Sequence, residues 1–144
     1  MTTDGHAIQL ELPSSFELLD LVQVLSDRMS AIAGLDEDVT HWVSVAVRES
    51  VINAIKHGNR QDIQKHVTVE FVLRPRVQPE EFVIRVLDEG EGFEPEAVAN
   101  PLDPENLLKS SGRGIFFMRN FMDDVTIARR PEGGTAVRMT KKLA

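Results

Sequence analysis

The chain has 144 residues, 42% hydrophobic and 27% charged, with a formal net charge of −7 and no cysteine. One domain spanning residues 1–144 is expected from that length, and disulfides, thiolate chemistry and cysteine-ligated zinc are excluded. The acidic balance argues against a general nucleic-acid binder, and apolar runs of only a few residues leave nothing to span a membrane.

The opening residues, Met1 to His6, lack a basic region followed by an apolar stretch, so no secretory signal is expected and a cytoplasmic location is the simplest reading. Alternation of Ile8, Leu10 and Leu12 with Gln9 and Glu11 predicts a half-buried strand over His6 to Leu12, ended by Pro13. Ser14 or Ser15 is placed to cap a helix running to Gly34, with Leu18, Leu21, Val22, Leu25 and Met29 at helical spacing. Asp36 is the expected N-cap of a second helix that reaches about His57 and is stopped by Gly58-Asn59. Val67 to Leu73 and Phe82 to Leu87 read as strands joined by a hairpin-like connection. The stretch from Glu94 to Ser111 holds a short helix over 95–99, then Pro101 and Pro104, and is the expected mobile loop. A short apolar helix follows from Ile115 to Phe121, and strands Val125–Arg129 and Thr135–Lys141 close the chain. Strands joined by hairpins favour an antiparallel sheet with the helices on one face, an α+β two-layer sandwich.

The second helix carries the first chemistry. At about 100° per residue, Ala46, Glu49 and Asn53 fall within roughly 40° of Trp42, so a carboxylate and an amide interrupt an apolar stripe. Two readings stay open. Glu49 pairs with Lys56 or faces solvent at the helix edge; or both groups face a wet cleft, where Glu49 can take a proton from an attacking hydroxyl and Asn53 can ligate Mg²⁺ beside phosphates.

Asp88-Glu-Gly90-Glu-Gly92 follows directly on a strand. It is either an ordinary tight turn or a carboxylate set in pliable backbone, and an ionised Asp, which only accepts, suits the exocyclic amine of adenine. Gly112-Arg113-Gly114 runs into the short apolar helix, either as a plain loop or as an anion site at a helix N-terminus. With no third glycine at the dinucleotide spacing and no Gly-Lys-Ser/Thr, Rossmann and P-loop readings fail. Gly134-Thr135 is accounted for by a hairpin turn. The histidines (His6, His41, His57, His66) have no metal-ligand spacing.

In order and spacing, Glu49-x-x-x-Asn53, Asp88-x-Gly90-x-Gly92 and Gly112-x-Gly114 resemble the three boxes of the Bergerat-type ATP-binding superfamily. Within it, Arg48-Glu-Ser-Val-Ile-Asn-Ala-Ile-Lys-His-Gly58 and Ser111-Gly-Arg-Gly-Ile-Phe-Phe-Met-Arg-Asn-Phe-Met-Asp-Asp124 are most similar to the anti-sigma-factor serine/threonine-protein kinases of bacterial partner switches. The resemblance implies a helix-on-sheet sandwich, the Bergerat fold, whose cleft holds ATP and Mg²⁺. It implies that Asp88 receives the adenine amino group with Thr135 assisting through water, and that Asn53 binds Mg²⁺. Gly90, Gly92, Gly112 and Gly114 would shape the pocket and its lid. Glu49 would be the general base, deprotonating a serine or threonine of an anti-anti-sigma (STAS-type) protein. A sigma factor is the second implied partner, and a homodimer the implied assembly.

The chain departs from that pattern at Ser110, where family members often carry arginine; Lys109 or Arg113 is left as the cation of the lid. His57 reads as structural or phosphate-adjacent. Two other functions compete with a kinase: an ATP-gated protein-binding switch without useful kinase activity, and the catalytic domain of a split histidine kinase, which would need its phospho-acceptor elsewhere.

Overall fold

The computed structural model of the protein describes residues 5–90, 116 and 118–143. Five strands, β1 (His6–Pro13), β2 (His66–Arg74), β3 (Glu81–Leu87), β4 (Asp124–Arg129) and β5 (Thr135–Lys142), form one antiparallel sheet in the order β1-β2-β3-β5-β4. Two helices, α1 (Leu19–Ile32) and α2 (Glu37–Asn53), cover it, and residues 118–121 are also helical. The expected α+β two-layer sandwich is the observed architecture.

Side-chain alternation decides which face of the sheet is covered. Along β2, Val67, Val69, Phe71 and Leu73 are buried while Thr68, Glu70, Val72 and Arg74 are half-exposed, the period of two that a strand with one covered face requires. Val22 and Met29 of α1 and Val43, Val47 and Val51 of α2 join that row in one apolar cluster. On the outer rows, Glu70 pairs directly across from Arg85, with the ion pair at 3.2 Å.

Helix starts follow their capping residues. The Glu17 N–H donates to Ser15 Oγ at 3.3 Å, opening a 3₁₀ turn (Phe16–Leu18) that leads into α1. The Val39 N–H donates to Asp36 Oδ1 at 2.8 Å, capping α2. Gly34, with φ +83°, ends α1 in the left-handed conformation that glycine adopts without strain. The stripe expected on α1 needs one correction: Leu21 is 52% exposed, because the inner face is centred on Val22, Ser26 and Met29.

α2 does not run as a plain α-helix to His57. It gives way after Asn53 to a π turn (Ala54–Gly58), in which the Asn59 N–H reaches back five residues to the Ala54 carbonyl at 2.8 Å. The larger surprise is the place of β5. It lies between β3 and β4, so Leu87 at the end of β3 pairs with Ala136 at the start of β5. The expected helix over 95–99 and the loop from Glu94 to Ser111 lie outside the described residues.

Candidate functional site

The end of β3 and the start of β5 meet at Asp88, which is 2% exposed. Its N–H donates to the Thr135 carbonyl at 3.0 Å, and the Thr135 N–H returns a bond to Asp88 Oδ1 at 3.0 Å, across 47 residues of sequence. The Gly90 N–H donates to the same oxygen at 3.0 Å. Burial pushes the Asp88 carboxyl above its ordinary range, while the two backbone donors, then Arg130 and Lys65, pull it back. Such an acid, held in place but incompletely compensated, is suited to accepting from a ligand donor.

The hairpin between β4 and β5 closes on this residue from one side. The Arg130 guanidinium donates to the Asp88 main-chain oxygen at 2.6 Å and pairs with Glu132 at 3.1 Å. Gly134, at φ +95°, passes so near that a Cβ there would lie 2.0 Å from the Asp88 carbonyl oxygen. From the other side comes the end of α2: a Cβ on Gly90 would lie 1.7 Å from the Gly58 carbonyl oxygen. Asn59, 1% exposed, locks that approach. Its amide nitrogen donates to Ser14 Oγ (2.8 Å) and to the His66 carbonyl (3.0 Å), and its oxygen accepts from the Glu89 N–H (2.8 Å).

Next to Asp88 a narrow cavity of about 10 Å³, room for about one water, is lined by Ser50, Asn53, Ala54, Val86, Asp88, Met118, Ile127 and Val137. Its walls are largely apolar with a few polar groups. Asn53 is buried on the last turn of α2, and Glu49 is half-buried one turn earlier. The inner stripe of α2 is Val43, Ala46, Val47, Ser50 and Val51, so Glu49 stands at its border. Trp42, also at the border, is 42% exposed and stacks on Phe121 at 4.3 Å and 15°. Partial burial and the neighbouring Lys56 lower the His57 imidazole below its usual value, so it is neutral at pH 7.

The residues suit a nucleotide and its cation. The hydroxyls of Thr135 and Ser50 are buried without a hydrogen-bond partner, one beside Asp88 and one on the cavity wall, as polar groups awaiting a ligand would be. Among the described residues no group of three His, Asp or Glu side chains is arranged to hold a metal. A hard cation at Asn53 could take phosphate oxygens and waters as its further ligands, the usual habit of Mg²⁺.

Asn53, Asp88, Gly90 and Thr135 thus converge, with Glu49 one helical turn away. Gly92, Gly112, Arg113 and Gly114 lie outside the described residues. Sequence reasoning overlooked Ser50, Asn59 and Arg130 as site residues. Gly58-Asn59 and the turn after Arg130 were legible only as a helix stop and a hairpin, because their partners come from distant elements. Among the described residues no helix is long and apolar enough to cross a membrane.

Comparison with known proteins adds an independent line. A family model described as a histidine kinase-like ATPase domain matches residues 12–141. The anti-sigma F factor of Bacillus velezensis is 39% identical over 121 residues, covering 80% of this chain and 79% of that protein. Serine-protein kinase RsbW of Staphylococcus epidermidis is 29% identical over 149 aligned positions, covering 99% of this chain and 91% of that protein. The crystal structure of the RsbU and RsbW domains of Rv1364c from Mycobacterium tuberculosis shares the fold, with a TM-score of 0.66 at 18% identity; the match covers 96% of this chain and 32% of that one. With a family model reaching over nearly its whole length and a buried aspartate at the floor of an apolar cavity, the chain belongs to the histidine kinase-like ATPase domain family, the Bergerat-type superfamily that its three boxes resemble.

Proposed function

We propose that this protein is an ATP-dependent serine/threonine-protein kinase and anti-sigma factor. It phosphorylates an anti-anti-sigma (STAS-type) protein and sequesters a sigma factor, as a homodimer in the cytoplasm. Residues 1–144 form one Bergerat-type domain in this reading. The observation that carries it is the buried Asp88 at the floor of the cavity, with Glu49 and Asn53 one helical turn apart on the α2 side. The similarity to an anti-sigma F factor and to a serine-protein kinase supports the choice of reaction and partners.

ATP supplies the phosphoryl group when bound, and Mg²⁺ neutralises its charge. Asp88 accepts a hydrogen bond from the adenine amine, with the Thr135 hydroxyl assisting across a water. The Asn53 amide oxygen holds the cation. Gly90, Gly92, Gly112, Arg113 and Gly114 complete the nucleotide-binding set. Glu49 would accept the proton of the attacking serine or threonine hydroxyl as that hydroxyl's oxygen bonds to the γ-phosphorus and the bond to the bridging oxygen breaks, releasing ADP. Positioning supplies most of the rate in phosphoryl transfer, and a general base adds about 10²–10⁴-fold.

Glu49→Gln tests this assignment. The variant is expected to bind ATP as the wild type does and to transfer phosphate about 10²–10⁴-fold more slowly to the partner protein. Labelled ATP incubated with the anti-anti-sigma protein reads the transfer. Undiminished transfer by the variant removes Glu49 from the mechanism, and no transfer by the wild type leaves an ATP-gated binding switch.

A further inference from the structure

Ser50 stands on α2 between Glu49 and Asn53 and has neither of their roles. It is 1% exposed, it lines the cavity together with Asn53 and Asp88, and its hydroxyl has no hydrogen-bond partner. A serine inside a helix ordinarily returns its hydroxyl to the carbonyl four residues back or turns it to solvent. Here it does neither. Buried hydroxyls in folded proteins are otherwise satisfied by water or by a ligand. Ser26, Ser30, Thr135 and Thr140 are also unpaired among the described residues, yet none of them lines this cavity. Ser50 is the case where an unmet donor lies on the cavity that Asp88 also lines.

The chemistry of a purine explains what that donor is for. An ionised Asp88 only accepts, so it can read an exocyclic amine but not the ring nitrogens, which are themselves acceptors. Ala54, Val86, Met118, Ile127 and Val137 offer the cavity no side-chain donor, and in the reading above Asn53 holds the cation. We propose that Ser50 is a second base-reading residue, whose hydroxyl donates, directly or across one water, to an acceptor nitrogen of the adenine ring while Asp88 accepts from the amine. One acceptor and one donor side by side match the edge of adenine. They oppose guanine, which presents a carbonyl in place of the amine and, on the N1 side, an N–H in place of the bare nitrogen. The inference rests on the ATP-site reading above and deepens it.

The test is a calorimetric titration of the full chain and of Ser50→Ala with ATP, 1-deaza-ATP and 7-deaza-ATP. Loss of one neutral hydrogen bond is expected to weaken ATP binding by about 5- to 10-fold in the variant. The wild type should bind one of the two analogues less well than ATP by a similar factor, and Ser50→Ala should bind that analogue no worse than the wild type does. The free variant should melt at the wild-type temperature or above, since it loses an unpaired buried hydroxyl; this separates lost recognition from lost folding. If Ser50→Ala binds all three nucleotides as the wild type does, or weakens all three equally, Ser50 reads nothing and the ATP site survives without it. Failure of the wild type to bind ATP removes the site and this inference together.

Discussion

Asp88 shows how a single residue trades stability for recognition. Burial raises its pKa in the folded chain, so the native state holds that proton more tightly than the unfolded state does. Stability from this group is therefore highest at low pH and is lost as pH rises from the ordinary carboxylate range through the raised native value. Asp88→Asn keeps an oxygen for the Gly90 and Thr135 N–H groups and removes the charge. The variant is expected to melt at or above the wild-type temperature near neutral pH, with the advantage gone below about pH 4, where the unfolded carboxylate is protonated as well. It should bind no ATP, because its amide N–H₂ faces the adenine amine. Scanning calorimetry across pH checks the first expectation and titration with ATP the second. A wild type that gains on the variant as pH rises would contradict the assigned direction. In the wild type, ATP affinity should fall as pH drops through the raised Asp88 value, at a higher pH than an unperturbed carboxylate would give.

At the scale of elements, the site is a junction of three segments: the end of α2, the end of β3 and the β4–β5 hairpin. Two glycines separate local strain from close approach. Gly34 and Gly134 both have positive φ, at +83° and +95°, but a Cβ on Gly34 would meet nothing within 4 Å, whereas one on Gly134 would meet the Asp88 carbonyl oxygen at 2.0 Å. Gly34→Ala is expected to cost about 1–2 kcal/mol of stability, the price of the left-handed conformation alone, and to leave ATP binding unchanged. Gly134→Ala should cost more than that and should also lose ATP binding as the hairpin is pushed off Asp88. Urea denaturation and ATP titration of the pair read both differences. Asn59→Ala strips one acceptor and two donors from the same junction, so a loss of about 1–3 kcal/mol is expected in denaturation, together with weaker ATP binding, because Glu89, whose N–H it holds, adjoins Asp88. Asp36 as the cap of α2 and the strands around Phe71 and Ile84 were legible beforehand, because capping and alternation are local. The π turn at Ala54–Gly58 was not, since nothing in its residues distinguishes a five-residue from a four-residue backbone step.

Across the whole molecule, the insertion of β5 between β3 and β4 assembles the site. It sets Thr135 against Asp88 and brings the Arg130 side chain over the end of β3. A ligand bound at that junction ties together segments from both halves of the sheet and binds only the folded chain. At a free ATP concentration of about 100 times the dissociation constant, binding should add about 2.7 kcal/mol to stability. For a chain of this size that raises the melting temperature by several degrees, about 5–15 °C at roughly 2–6 °C per kcal/mol. Asp88→Ala should show no shift with ATP. A wild type whose melting temperature ignores ATP and Mg²⁺ would leave the cavity without its ligand.

The residues in their order were enough to establish an acidic α+β chain, its helix caps, its alternating strands and a carboxylate–amide pair one helical turn apart, because capping, periodicity and helical spacing act over a few neighbours. They were also enough to bring out the resemblance to a nucleotide-binding family, since the boxes are short and ordered. Which groups surround the Asp88 carboxylate was settled only in three dimensions. Its partners Gly90, Thr135 and Arg130 lie two to 47 residues away, and the order of strands, which no local pattern encodes, decides that they meet. The same holds for Ser50: on the helix it is one small residue between two reactive ones, and only the packing of β3, β4 and β5 beneath it turns its hydroxyl into an unmet donor beside a cavity.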